Sequence, residues 1–294
     1  MLEYPSLGRR LFIACNYVFL ALLGTICIFP LVHVLALSFS SSAAATAGKV
    51  GLWPVDFNTV SYSFVLSEKA FLTSLFVTLK RIALGVSVNM VLGVMLAYAL
   101  SKEVREFRWR TLYVWFFVFT MLFSGGLIPT YLVVSATGLA DTIWALVLPF
   151  AVNVFNVVLM LNFFRGLPRE LLEASYIDGA GHWKTLLAIV VPTSMPVIAT
   201  VTLFALVFHW NEWFYGLIFM NRTEHYPLQS YLQTIIVQKN FSEITAQDLN
   251  LLGKVSDRTV KAAQIFLGCV PILLVYPFLQ RYFMAGIVMG SVKE

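Results

Sequence analysis

Six stretches of this chain are apolar for long enough to cross a lipid bilayer, and polar links join them. They run over residues 11–39, 71–100, 111–134, 142–164, 189–219 and 262–280. A hydrocarbon core of roughly 30 Å needs about 20 apolar residues in an α-helix. Backbone groups in lipid must be satisfied internally, which leaves helices as the structure for apolar runs of this length. The pattern predicts an all-α membrane protein, a bundle of six transmembrane helices forming a single domain over residues 1–294. The third stretch should break where Gly125-Gly126 and Pro129 interrupt it. The second begins near Phe71, which lifts Lys80 and Arg81 toward one membrane surface.

Composition agrees: 59% of the 294 residues are hydrophobic and only 12% are charged, against about 25% charged in an average soluble domain. The net charge of +5 comes with no basic run or basic helix face, so it does not point to nucleic acid. Lys and Arg gather instead at one set of span ends: Arg9 and Arg10; Lys102, Arg105, Arg108 and Arg110; Arg165, Arg169 and Lys184; Arg281 and Lys293. The opposite link, Ser135–Asp141, has none. The positive-inside rule then places both termini and the link at 165–186 in the cytoplasm. Lys49, Lys69, Arg222, Lys239, Lys254, Arg258 and Lys261 fall on longer outer segments, which weigh less in that rule. The stretch Ser41–Gly48 looks like a signal-peptidase site, but the apolar run before it far exceeds the roughly 7–15 residues of a signal-peptide core. An uncleaved first span is expected. Cys15, Cys27 and Cys269 lie in apolar stretches without metal-ligand spacing and read as small core residues.

The link between spans four and five reads as a short capped helix. Pro168 suits the first helical position, Glu170 the positive end of the helix dipole, and Gly179 the stop. Leu171 and Ser175 share one stripe, Leu172 and Tyr176 the next. Ala174 and Ser175 are small enough for another protein's backbone to come close, and Glu173 offers an acceptor to a basic residue of that partner. A helix lying on the inner leaflet would show a basic polar face, whereas this one carries Glu170, Glu173 and Asp178.

These residues resemble the "EAA" loop of the membrane subunits of bacterial ABC importers. That family's pattern is Glu-Ala-Ala, three residues, Gly, nine residues, then Ile-x-Leu-Pro. Here Glu173, Ala174, Gly179, Ile189 and Pro192 stand at those spacings, with Ser175 for the second Ala and Val191 for Leu. Asp178-Gly179-Ala180 and Pro196 look like the carbohydrate-uptake branch, as do Trp53–Ser74 and the tail Gln280–Lys293. Phe123–Tyr131 and His209–Phe214 are similar to a subgroup that takes up plant or algal polysaccharide fragments, several of them acidic. The resemblance implies a coupling helix docked on an ATPase through Glu173, Ala174, Ser175, Asp178, Gly179, Ala180 and Pro192. It also implies a second homologous permease, two ATPase subunits inside, and an extracellular or periplasmic sugar-binding protein outside.

Polar residues within spans are default candidates for a substrate pathway. Span four offers Asn153 and Asn156, three apart and so on one helix face, and Asn162; span three offers Ser124; span five ends in His209, Trp210, Asn211, Glu212 and Trp213. Aromatic rings beside hydrogen-bonding groups suit sugars, although Trp210 and Trp213 would also serve as interface anchors and asparagines also join helices. Arg222, Lys239, Lys254, Arg258 and Lys261 form a group that could meet an acidic sugar or acidic binding protein. No Walker A, H-E-x-x-H or G-x-S-x-G pattern occurs. The chain is therefore expected to be non-catalytic and to hold no cofactor, with ATP and magnesium in the partner ATPase. An ABC permease for a non-sugar solute is the nearer alternative. An ion-coupled secondary transporter is further off, because Glu212 is its sole acidic candidate.

Overall fold

The computed structural model describes residues 7–238 and 256–291, with side chains described over 8–235, 256–275 and at 277. Lys239, Lys254 and the side chains of the 280–293 tail lie outside the described residues. Among the described residues all regular structure is helical. Chain contacts divide it into two compact units, one drawn from Met1–Lys69 and Thr234–Val270, the other from Ala70–Gln233 and Pro271–Glu294.

The first unit holds α1 (Leu7–Ser38), α2 (Ser42–Thr46) and α3 (Val60–Ser67). None of the most apolar window of α1 is buried, and Cys15 and Cys27 are exposed on it, while Cys269 is half-buried. The expectation of core cysteines is thereby corrected for the first two. Where lipid is the solvent, a small apolar side chain needs no protein core. Hydroxyls order the segment after α1. Ser40 Oγ accepts from the Val55 N–H at 3.0 Å, Ser41 Oγ caps α2 through Ala44, and Ser38 and Tyr62 share a 2.7 Å hydrogen bond. Phe39 stacks on both Phe57 and Tyr62.

The second unit contains one long continuous helix, α4 (Lys69–Ser101), and three bent pairs that each pass for a span by length and composition. The first pair is α5 (Arg110–Leu122) with α6 (Leu127–Ala136), bent by 114°. The break stands at the paired glycines: Gly126 takes φ 87°, and Ser124 Oγ accepts its N–H at 3.2 Å. The second pair joins 3₁₀ turns over Ile143–Phe150 to α7 (Val154–Arg165) at 47°. Residues 142–164 are thus not one helix. Pro149 lacks an N–H and Asn153 caps a fresh start, its Oδ1 accepting from the Asn156 N–H at 3.1 Å. That geometry also corrects the placing of Asn153 and Asn156 on one helix face, for Asn153 is an exposed cap and Asn156 is buried inside α7.

Next come α8 (Arg169–Ile177) and α9 (His182–Thr185), a π-turn over Leu186–Val190, α10 (Val191–Thr193) and α11 (Met195–Asn211). The stretch read as one span from residue 189 bends by 83° at Ser194, where Pro192 and Pro196 both withhold backbone donors. Then follow α12 (Phe214–Phe219), α13 (Leu228–Gln238) and α14 (Asp257–Ser291). Ala97 and Leu100 of α4 pack with Val157, Met160, Leu161 and Phe164 of α7, and with Leu186, Val190 and Val201. Between helices in lipid such packing acts through van der Waals contact rather than through exclusion of water.

The link after α6 is pinned by one carboxylate. Asp141, at φ 59°, accepts at Oδ1 from the N–H groups of Asn221 and Arg222 and from His225 Nδ1, and pairs at Oδ2 with Arg222 Nε at 3.1 Å. Partial burial acts to raise its pKa, but the His225 bond, the two backbone donors and the His225 charge outweigh it. The carboxyl titrates below its ordinary 3.8. A group so shifted contributes stability that is present above 3.8 and is lost as pH falls through its folded value. Asp141→Asn should therefore speed amide hydrogen exchange in residues 137–142 and 220–226 at neutral pH. The difference from wild type should shrink on acidification below 3.8.

Candidate functional site

One face of α4 is built from small and polar residues. Ser74, Thr78, Arg81, Gly85, Asn89, Gly93 and Ala97 follow one another three or four residues apart, and all are buried. Thr78 Oγ1 accepts the Leu228 N–H at 2.7 Å and so tethers the start of α13. Arg81 is wholly buried; its Nη1 donates to the Glu212 carbonyl at 3.1 Å, and its Nη2 lies 2.9 Å from Glu212 Oε2. Glu212 Oε1 in turn accepts the Tyr215 N–H that opens α12. The carboxylate and guanidinium together bridge the break between α11 and α12.

Two turns further along α4, the Asn89 amide donates to the carbonyls of Phe150 and Ala151 at 2.7 and 2.9 Å. Its Oδ1 accepts from His209 Nε2 at 2.9 Å. Gly85 makes room for that imidazole, since a Cβ there would stand 2.4 Å from His209 Nε2. Arg81 Nε and His209 Nδ1 are buried without hydrogen-bond partners among the described residues.

The pathway candidates therefore separate. His209 and Glu212 are drawn into this buried network, Asn156 is buried in α7, and Ser124 and Asn153 serve as caps. Asn211 is exposed. Trp210 is buried, which removes it as an interface anchor, whereas Trp213 is exposed. Sequence reasoning missed Arg81 and Asn89. The signal lay in the small-and-polar stripe within an otherwise apolar helix, the pattern by which spans approach closely. The proposed outer basic group is also engaged where it is described: Arg222 with Asp141, Lys261 with Asp257, and Arg258 with the Ala45 carbonyl at 3.4 Å.

The second site is the link around α8. Pro168 precedes its first residue, Glu170 lies in its first turn, and the chain leaves it through Gly179 at φ +73°. Closing hydrogen bonds run from the N–H groups of Gly179 to Tyr176 and of Ala180 to Ser175. Glu173, Ala174, Asp178 and Gly179 are exposed, as is Pro192, and Ala180 is half-buried. Ser175 is not part of that surface. It is buried, with its Oγ 3.1 Å from Thr185 Oγ1, so it braces α8 on α9 instead of meeting a partner.

Among the described residues the regular structure is helical, with broken apolar spans and the short acidic helix α8 between two of them, features of a membrane transport permease. The chain belongs to the family of binding-protein-dependent transport system inner membrane components, which matches residues 89–288. It is 37% identical to the polygalacturonan/rhamnogalacturonan transport system permease protein YtcP of Bacillus subtilis (strain 168), over 97% of this chain and 99% of that one. It is 39% identical to protein LplC of the same organism, over 97% and 95%. Among solved structures, a chain of a bacterial ABC transporter involved in the import of the acidic polysaccharide alginate superposes with a TM-score of 0.89. That match is 34% identical and covers 96% of this chain and 99% of the other. A chain from the alginate ABC transporter in complex with an alginate pentasaccharide-bound periplasmic protein shares the fold, with a TM-score of 0.54 at 16% identity.

Removing one partner of a buried ion pair leaves an uncompensated charge and costs about 3–5 kcal/mol, whereas replacing both by apolar residues is often near neutral. Glu212→Gln should thus lower the thermal unfolding midpoint of the detergent-purified protein more than Arg81→Met combined with Glu212→Leu. Equal losses in the two variants would show that the charge pairing carries no stability.

Proposed function

We propose that this chain is a membrane-spanning subunit of an ATP-driven importer that passes a carbohydrate, an acidic oligosaccharide such as a uronate oligomer, from a binding protein into the cytoplasm. The observation that carries the reading is α8, a short helix with exposed Glu173, Ala174, Asp178 and Gly179, standing in a chain of the binding-protein-dependent permease family. The cargo reading draws on relatives whose names refer to polygalacturonan, rhamnogalacturonan and alginate. Polygalacturonan and alginate are uronate polymers.

The distribution of Lys and Arg supports a cytoplasmic location for both termini and for α8. In this reading α8 docks on an ATPase subunit that holds ATP and magnesium, a second homologous permease completes the pathway, and two ATPase subunits work as a pair. Closure of that pair on ATP displaces α8, and the spans exchange outward for inward access. Glu173 supplies an acceptor to the ATPase, and Asp178, Gly179 and Ala180 set the turn that fixes how α8 is presented. Asn211, exposed beside the Arg81–Glu212 pair, is a pathway candidate free to meet a sugar hydroxyl.

Nothing in this chain lies within 4 Å of a Cβ built on Gly179, so within the chain a substitution there acts through the backbone. Left-handed geometry costs an L-residue roughly 1–2 kcal/mol, more when it is β-branched. Glu173→Ala and Gly179→Val should abolish uptake while membrane insertion stays intact. ATPase stimulation by the loaded binding protein at the wild-type level in both variants would refute docking through α8. In cells carrying the intact importer, labelled oligogalacturonate uptake should be competed by other uronate oligomers and not by neutral maltooligosaccharides. Competition by both classes alike would remove the acidic cargo.

A further inference from the structure

Around the end of α4 the chain gathers a cation and three rings that neither the docking surface nor the buried network uses. Lys102, the first residue beyond α4, is buried. Its ammonium stands 4.6 Å from the centroid of the Tyr98 ring and 5.2 Å from that of Tyr176, and it donates to the Tyr176 hydroxyl. Glu106 Oε2 lies 3.5 Å away. The Tyr98 hydroxyl is hydrogen-bonded to His182 Nδ1 at 3.2 Å, and the His182 ring meets Tyr98 and Tyr176 edge-on. One cation therefore sits where α4, α8 and α9 converge.

Cavities of about 380 and 400 Å³ flank this cluster, and Tyr98, Lys102 and Glu106 line both. Packing around the cluster is thus discontinuous, and three further links tie α8 to its neighbours. The Arg169–Glu103 pair is solvent-exposed, and such pairs contribute little. Leu172 packs on the core cluster that includes Phe164, and Ser175 braces α8 to α9. A buried ammonium over the Tyr98 ring and hydrogen-bonded to the Tyr176 hydroxyl is a more directional link than these.

We propose that Lys102 is a positioning residue that carries displacement of α8 to the C-terminal end of α4, so that movement at the docking helix reaches the spans through the Tyr98–Lys102–Tyr176 clasp. The inference rests on the reading of α8 as the ATPase-docking helix. Arg can hold a similar place over aromatic rings, whereas Met fills the volume without the charge. The chemistry of the clasp, rather than its bulk, can therefore be tested.

The experiment uses the importer purified with its companion subunits and reconstituted in lipid nanodiscs, with oligogalacturonate-loaded binding protein as the stimulus. Lys102→Met should assemble with unchanged basal ATP turnover and lose about fivefold or more of the stimulated turnover, the lower end of ordinary allosteric coupling. Lys102→Arg should restore most of that stimulation. Tyr176→Phe, which keeps the ring and removes the acceptor, should fall between, and Glu103→Gln should behave as wild type. Wild-type stimulation in Lys102→Met would overturn the proposal, as would failure of both Lys102 variants to assemble, which would make the residue merely structural. If wild type itself shows no stimulation, the docking reading falls and takes this inference with it. A responsive wild type beside an equally responsive Lys102→Met removes the role of Lys102 alone.

Discussion

Backbone carbonyls released inside a membrane have no water to turn to, and the Asn89 amide supplies two of them with donors. The bend ahead of α7 frees the carbonyls of Phe150 and Ala151, and Asn89 Nδ2 reaches both while its oxygen accepts from His209. Each buried polar group left without a partner costs about 1–3 kcal/mol, and both freed carbonyls are answered here. Arg81 and Glu212 solve the same problem at the end of α11. The guanidinium covers the Glu212 carbonyl, and the carboxylate receives the Tyr215 N–H. Breaks that would be prohibitive against lipid become stable because α4 presents polar side chains at their depth.

That role explains which parts of the fold could be read in advance. The spans were legible because lipid demands long uncharged runs, and the break at Gly125-Gly126 because no side chain is there to resist φ 87° at Gly126. The bends at Pro149 and at Pro192–Pro196 lay inside runs whose hydropathy never falters, so hydropathy alone hid them. Asn153 and Asn156 looked like one face because the helix was assumed continuous; a cap between them separated their fates. At the loop around α8 the spacing singled out Glu173 and Gly179, which are exposed, but small size at Ser175 did not distinguish an open position from a brace against Thr185. Only the fold decides that.

The buried network and the clasp share one physical element. Arg81, Asn89 and Lys102 lie along α4 and its first following residue, with no break between them. At 1.5 Å per residue the distance from Arg81 to Lys102 is about 30 Å, close to the thickness of the hydrocarbon core. A continuous helix of that length is a stiff strut, whereas the bent pairs around it have joints at Gly126, Asn153 and Ser194. Stiffness and compliance are thus assigned to different spans of the same unit.

The unbroken form of α1 and α4 also constrains biogenesis. Each runs its full length without a break and can leave the insertion machinery as a complete span. The half-spans on either side of Ala151 and Glu212 cannot, because their freed carbonyls are answered by side chains of α4. Synthesis from the N-terminus delivers α4 before every segment that needs it. The order of elements along the chain is therefore also a workable order of assembly, in which the donor helix is already in the bilayer when the broken ones arrive.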